Sequence, residues 1–377
     1  MDANLRFATS EKDRAAVYRL RYELYVEDQG LFGDEADHER RWLTDEYDGK
    51  SHIILAEIDG QAVGTARITW GSDGPFSEEL RKVYDIDRFR GAVAERDIMV
   101  GTRLVVREEY RGGMLAFQLL WKTYEFAALK NAELFLANCE PHLVNKYHKL
   151  GFRPYGSLYN HVTNGVLVPI AVAAGDFEYL QEINSPMLVP LSLRTRAVEN
   201  LEVLLPLITA DSSLVSETSG GTDDYLSAVS RWLAEADNEL AGVFGQLTHD
   251  EALTLLAKSH VLACNRGDMI IGKGHVSRTL YVLLSGSLEV IDDGKVVAVV
   301  DEKGSIVGEV AFFTGRQRMS HVVAGHDGAR VLALSDRVLR EIISSHGPTA
   351  AKFLHFVARG LCDKLLERAS AAPGGRG

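Results

Sequence analysis

A pair of glycines at a strand-to-helix junction is the feature of this sequence best suited to chemistry. In GTRLVVREEYRGGMLAFQLLW, Gly101–Trp121, the side chains Arg103, Val105 and Arg107 alternate with Leu104 and Val106 as a strand would place them. Gly112 and Gly113 permit a tight turn, and Leu115 and Leu119 follow at helical spacing. Such a turn leaves backbone N–H groups at the start of the helix without partners. Those donors and the helix dipole favour an anion such as a pyrophosphate. Two carboxylates, Glu46 and Asp48, stand at the end of a charged stretch that begins at Asp34. Either can remove a proton, directly or through water. His142, His148 and Tyr147 can move protons near a reacting group, whereas Cys139 reads as a buried thiol at a strand end. Far downstream, GEVAFFTGRQR, Gly308–Arg318, sets Glu309 just after one glycine and Arg318 three residues after another, Gly315.

The elements that must position these groups can be read from pattern. Ser10-x-x-Asp13 predicts the N-cap of a helix with Val17, Leu20 and Leu24 on one face and Arg21 among them. Residues 34–46 read as a loop holding Trp42. His52–Ile58 and Ala62–Thr69 predict a hairpin through Asp59-Gly60. Asp85–Glu95 is a polar connection before a strand from about Ile98. Leu188–Pro206 mixes strand and helix character. Thr209–Thr222 is rich in Ser, Thr, Gly and Asp and reads as a linker, and a helical pattern runs from Asp224 toward Phe244. Beyond it the texture changes. Thr248 caps a helix, and Val261–Cys264, Met269–Ile271, Thr279–Leu284, Ser287–Ile291 and Val296–Val300 read as short strands. Turns fall at Gly267-Asp268, Ser285-Gly286 and Asp293-Gly294, which predicts a β-barrel or jelly roll. The expected organisation is a first domain over 1–190, a partly helical linker over 191–235, a second domain over 236–368 and a disordered tail over 369–377.

Composition narrows the function classes. The chain has 377 residues and a net charge of −12, with no basic run, so nothing in it attracts nucleic acid. Three widely spaced cysteines argue against a disulfide framework, in favour of a reducing compartment, and against a metal site. The polar N-terminus is unlike a signal peptide and no long apolar run occurs, so a cytoplasmic protein that does not span a membrane is expected.

Arg111-Gly-Gly-Met-Leu-Ala116, followed by Tyr147-His-Lys-Leu-Gly-Phe152, resembles the GNAT acyltransferase superfamily, with its Arg/Gln-x-x-Gly-x-Gly/Ala pyrophosphate loop and later Tyr-x-x-x-Gly-Phe segment. Met114 stands where that loop usually has glycine. The order LRYELYVEDQG, EYDGKSHIILAEIDGQAVGTARIT, TRLVV is similar to the branch that makes N-acyl amino acids and N-acyl homoserine lactones; the Glu that lactone synthases carry three residues before the last Arg is replaced here by Val100. The resemblance implies a mixed sheet flanked by helices over roughly residues 5–190. It implies an acyl-CoA or acyl carrier protein donor held by Val105, Val106, Arg111, Gly112, Gly113 and Ala116. Arg21 and Trp42 would bind the acceptor, an amine or amino acid. Asp48, Glu46, Tyr147, Arg67 and Arg103 would form the catalytic set, with Tyr147 protonating the leaving thiolate.

The run Gly308–Arg318, with LYVLLSGSLE before it and helices after it, resembles the phosphate-binding cassette of cyclic nucleotide-binding domains. That implies a β-barrel with flanking helices. Gly308, Glu309, Val310, Ala311, Arg318, Met319 and Ser320 would hold the nucleotide, Glu309 taking the ribose 2′-hydroxyl and Arg318 the phosphate. His321 stands where a purine-contacting Thr often lies, and the effector stays open between cAMP and cGMP. The expected fold class is α+β, and the expected activity is N-acyl transfer to a small amine under cyclic-nucleotide control. A cAMP-regulated protein lysine acetyltransferase and a non-catalytic sensor are the alternatives.

Overall fold

The structure is a computed structural model, and it describes residues 3–140, 143–156, 158–161, 165–209, 247–248, 250–251, 255, 259–275 and 278–371. The linker beyond Thr209, the helical pattern from Asp224 and His142 lie outside the described residues. Contacts divide the chain into two units. The first is Met1–Cys139, Asn145–Gly156 and Pro169–Ser212; the second is Glu140–Val144, Ser157–Val168 and the described part of Ser213–Gly377.

The first unit opens with β1 (Asn4–Phe7) and α1 (Glu11–Arg21). Ser10 caps α1, its hydroxyl accepting from Asp13 N–H at 3.1 Å. Val17, Leu20 and Arg21 are buried on one face, and a π-helical turn over Tyr22–Glu27 follows. β2 (His52–Ile58) and β3 (Gln61–Trp70) form the expected hairpin. Asp59 (φ 49°) and Gly60 (φ 79°) both take the left-handed conformation that a two-residue hairpin loop requires. Then come α2 (Glu78–Val83), β4 (Ile98–Val106), α3 (Leu115–Leu129), β5 (Leu134–Cys139), α4 (Val144–His148), β6 (Arg153–Pro154), β7 (Tyr159–His161) and β8 (Gly165–Ala173), of which β7 and the part of β8 up to Val168 are counted with the second unit. The helices α5 (Phe177–Glu182), α6 (Leu188–Leu191) and α7 (Leu201–Thr209) close this part of the chain. The strands follow the order β1-β2-β3-β4-β5-β8-β6, with β7 on β8. Leu134 and Leu136 of β5 pack with Ile98 and Val100 of β4, Phe89, Tyr155, and Leu204 and Ile208 of α7.

Two departures from regular pairing shape β4. Thr102 lies opposite Arg67 and Val105 opposite Thr65, so two residues of β4, Arg103 and Leu104, face one residue of β3. This is a β-bulge, and Arg103 takes φ 55° within it. The expected alternation of Arg103, Val105 and Arg107 is broken there, because the extra residue shifts the side-chain phase. On its other side β4 runs parallel to β5 only from Ile98↔Leu134 to Gly101↔Ala137. Gly101 marks that limit, since a Cβ there would lie 2.7 Å from the Phe135 ring.

The second unit contains β9 (His260–Cys264), β10 (Met269–Ile271), β11 (Thr279–Asp292), β12 (Lys295–Val300), β13 (Ile306–Val307), α8 (Glu309–Thr314), β14 (His321–Ser335), α9 (Asp336–Ser345) and α10 (Gly347–Ala371). Its order is β10-β14-β11-β12, with β13 on β11 and β9 on β14, all antiparallel. Leu280, Val282, Leu332 and Leu334 of the sheet pack against Phe312 and against Val338, Ile342, Phe353 and Val357 of the closing helices. The α+β class and the flanking helices stand as expected. The described strands of this unit pair as one six-stranded antiparallel sheet. Thr279–Leu284 and Ser287–Ile291 do not form two strands. They are one strand, and Ser285-Gly286 lies between register shifts against β14, with Gly286 at φ 78°.

Candidate functional site

The first unit buries an ionic network. Asp48 is 2% exposed and Arg21 1% exposed, and Arg21 Nη1 donates to Asp48 Oδ1 at 2.7 Å. Arg67 Nη1 donates to the same oxygen at 3.1 Å and also to Asp45, while its Nε donates to Thr102 Oγ1 at 2.9 Å. Asp48 Oδ2 accepts from the Asp45 backbone N–H at 3.0 Å. The bulge in β4 swings Arg103 round so that its Nη2 donates to Asp45 Oδ2 at 3.0 Å, with its guanidinium 4.5 Å over the Phe32 ring. Three guanidiniums thus meet two carboxylates, a surplus of one positive charge. Burial lowers the pKa of Arg21, and Arg67 and Arg103 lower it further against the pull of Asp48. Burial alone would raise the pKa of Asp45, but Arg67 and Arg103 outweigh it and hold it below the ordinary aspartate range. Arg21 Nε and Nη2 are buried without a hydrogen-bond partner.

The expected set is assembled only in part. Arg21, Asp48, Arg67 and Arg103 meet in this network. Glu46 is exposed, and it is Asp45 that sits with the arginines. The sequence signal for Asp45 was only its place one residue before Glu46. Trp42 stacks edge-on with Tyr18 at 5.8 Å, and Arg21 lies 6.0 Å over that same Tyr18 ring, so Trp42 borders the network at one remove.

The glycine turn is built as expected. Gly112 adopts φ 78°; Arg111, Gly112, Gly113 and Met114 are exposed, and α3 starts behind them with no side chain capping it. Arg111 folds back, its Nε donating to Val106 O at 3.0 Å. Val105 and Val106 are buried in β4, and Ala116 is half-buried in the first turn of α3. Tyr147 is half-buried in α4, edge-on to Phe152 at 5.3 Å. His148 in the same helix has its pKa lowered by burial and by Arg153. Cys139 is buried at the end of β5, as expected.

In the second unit the cassette closes on itself. Gly308 caps α8 at φ 87°, and a Cβ there would lie 2.4 Å from Arg318 Nη1. Arg318, 4% exposed, donates to the backbone carbonyls of Gly308 and Thr279. Burial lowers its pKa. Glu309 is 7% exposed and accepts from Lys364 Nζ of α10 at 2.7 Å; the same ammonium donates to Ile306 O at 2.6 Å. Sequence reasoning missed Lys364, which lies 55 residues downstream of its partner on a helix expected only to pack. Ala311 is buried, Ser320 half-buried, and Val310 and Met319 are 49% and 73% exposed. His321 Nδ1 accepts from Lys273 N–H at 3.1 Å.

Residues 16–172 match the family model of the N-acyl amino acid synthase FeeM, and residues 261–346 that of the cyclic nucleotide-binding domain. The chain therefore joins an acyltransferase domain of the FeeM type to a cyclic nucleotide-binding domain. Among curated proteins, a cyclic nucleotide-gated channel beta-3 from Mus musculus is 32% identical over 112 residues, 28% of this chain. The chain spans only about a sixth of the curated relatives it matches, 16% of that channel and 16% of a Caenorhabditis elegans cyclic nucleotide-gated channel. Among solved structures, the CoA-dependent acyl-homoserine lactone synthase BjaI with MTA is 20% identical, covers 51% of this chain and 98% of its own, and has a TM-score of 0.39. A cyclic nucleotide-binding domain from Methylobacillus flagellatus is 22% identical, covers 42% of this chain and 89% of its own, and has a TM-score of 0.34. Among the described residues no helix is long and apolar enough to cross a membrane, and no group of three or more His, Cys, Asp or Glu could hold a metal ion.

Proposed function

We propose that this protein transfers an acyl group from acyl-CoA or acyl carrier protein to the amine of an amino acid, and that cAMP or cGMP bound to the second unit sets the rate. The observation that carries the acceptor is the surplus positive charge of the Arg21–Asp48–Arg67–Asp45–Arg103 network. A buried cationic excess is most stable when an anion completes it, and an amino-acid acceptor brings a carboxylate beside its amine. Arg103, at 14% side-chain exposure, forms the rim of the network where such a carboxylate would arrive.

The chemistry follows from the groups present. The donor's pyrophosphate would sit on the open glycine turn at the start of α3. Beyond Gly101 the pairing of β4 with β5 stops, so backbone N–H and C=O groups of β4 are left for the donor's amides and for the developing oxyanion. The attacking amine must lose a proton. Asp48 accepts from two guanidiniums and a backbone N–H, which suits it to hold Arg21 and Arg67 in place; exposed Glu46 is the carboxylate left to take the proton, directly or through water. Tyr147 would return a proton to the thiolate. In the second unit the ribose 2′-hydroxyl would compete with Lys364 for Glu309, so nucleotide binding would loosen the hold of α10 on the cassette.

The test is thioester consumption with amines offered as matched pairs, each amino acid beside its decarboxylated analogue, with and without cAMP and cGMP. Turnover confined to the carboxylate-bearing member of each pair, and altered by one nucleotide, is the expected result. Equal use of both members removes the acceptor assignment; equal turnover at saturating nucleotide removes the regulatory one.

A further inference from the structure

The first unit also leaves an acceptor buried without a partner. The side-chain carbonyl oxygen of Asn138, Oδ1, is buried in β5, and no group among the described residues donates to it. Buried amide oxygens are nearly always satisfied, so an orphan one marks a place where a donor from outside the chain would be stabilised.

Register fixes where this oxygen stands. On β5, Leu134 and Leu136 face the core that holds Ile98 and Val100 of β4. Side chains two apart along a strand share a face, so Asn138 lies on that side of the sheet as well. The parallel ladder ends at Gly101↔Ala137, which makes Asn138 the first residue of β5 beyond it and Thr102 its counterpart on β4. Thr102 in turn pairs with Arg67 of β3, and directly paired residues share a face. Arg67, Thr102 and Asn138 therefore form a row across three strands on one face. Arg67 already reaches over β4, its Nε donating to Thr102 Oγ1 at 2.9 Å, while its Nη1 belongs to the ionic network. The row runs from the surplus positive charge at one end to an unpaired acceptor at the other.

The two ends ask for different groups. Guanidiniums suit a carboxylate, and a lone amide oxygen suits an N–H. An α-amino acid carries both, one carbon apart. A neutral acceptor is also the right partner for a nucleophile. A carboxylate in that place would stabilise the ammonium, which cannot attack, whereas an amide oxygen can hold one N–H of the neutral amine and leave its lone pair free.

We propose that Asn138 binds the acceptor, its Oδ1 accepting one N–H of the amine and so aiming the lone pair at the thioester carbonyl. This rests on the reading of the first unit as an amino-acid N-acyltransferase. Asn138 moves no proton. As the C–N bond forms and the C–S bond breaks, the amine's surplus proton leaves to Glu46 and the thiolate takes one from Tyr147.

The test uses the full chain. Acetyl, octanoyl and palmitoyl groups, on CoA and on acyl carrier protein, are offered against the common amino acids, and the pair that turns over is carried into two variants. A parent that consumes none of them overturns the acyl-transfer reading and this proposal together. With an active parent, Asn138→Leu should lower kcat/KM for the amino acid about tenfold and leave the KM for the thioester unchanged. It should melt no lower than the parent, since an apolar group of similar volume replaces an unpaired buried oxygen. Asn138→Asp should move the rising limb of kcat against pH up by about one unit, because a carboxylate beside the amine favours the ammonium and the amine must be neutral to attack. Undiminished use of the amino acid by Asn138→Leu overturns the proposal and leaves the acyl-transfer reading standing. So does a clear fall in its melting, which would mean that Asn138 holds the fold, or an unmoved pH limb in Asn138→Asp.

Discussion

Asp45 and Asp48 show how a few side chains decide whether the first unit holds together. Replacing Asp48 by Asn would leave Arg21 and Arg67 buried with half of their countercharge gone. Removing one partner from a buried ion pair costs about 3–5 kcal/mol. Melting of Asp48→Asn should therefore fall by roughly 10 °C, whereas Glu46→Gln, at an exposed position, should melt like the parent and lose turnover instead. A pH dependence goes with this. The Asp45 carboxylate is held below its ordinary range, so its contribution to stability is whole above the usual aspartate pKa of about 3.9 and is lost as pH falls below that through the lowered folded-state value. Acid titration of unfolding should show that loss in the parent and not in Asp45→Asn. In the second unit Lys364→Ala should release Glu309 and tighten nucleotide binding about two- to fivefold, measured by calorimetry, because a half-exposed ion pair is worth under about 1 kcal/mol. Sequence alone pointed to Arg21, Asp48, Arg67 and Arg103. It could not separate Asp45 from Glu46, since neighbouring acids on a loop differ only in which way the backbone turns them. Lys364 was illegible because its contact spans a tertiary distance.

At the level of elements, glycines act in two different ways, and sequence reasoning caught one of them. The hairpin at Asp59-Gly60 and the turn at Gly112 use left-handed backbone to reverse or redirect the chain, the use that local pattern reveals. Gly286 uses the same conformation inside a continuous strand, where it absorbs a register shift; a dipeptide signal does not distinguish the two, because only the partner strand β14 decides. The bulge at Arg103 was hidden for the same reason. Gly308 provides the sharpest test. A methyl group there would collide with Arg318 and would sit at φ 87°, so Gly308→Ala should abolish nucleotide binding while the unit still unfolds cooperatively. At Gly112 a Cβ meets nothing within 4 Å but the φ is still positive, so Gly112→Ala should cost about 1 kcal/mol in stability and raise the KM for the thioester.

On the scale of the molecule, two separately legible domains share one chain. Each was readable because its motif is short, local and placed on a predictable strand–turn–helix frame. Which distant strands pair was not, since no local pattern records it. A ligand that binds only the folded second unit should stabilise it by about 2.7 kcal/mol at a hundred times its Kd, raising that unit's melting by roughly 10 °C. Two calorimetric transitions, only one of them moved by cyclic nucleotide, would show units that unfold independently. Both moving together would measure the coupling free energy that regulation requires, commonly about 1–3 kcal/mol.

The backbone at Arg103 has one more consequence. A non-glycine residue held at φ 55° stores about 1–2 kcal/mol of torsional energy. Arg103→Gly would release that energy while discarding the guanidinium, and Arg103→Asn would discard the guanidinium but keep a residue that tolerates the same torsion. Comparing the two separates conformational tension from charge, and a glycine variant that melts higher yet turns over more slowly would mark this position as a spring set against the fold for the sake of the reaction.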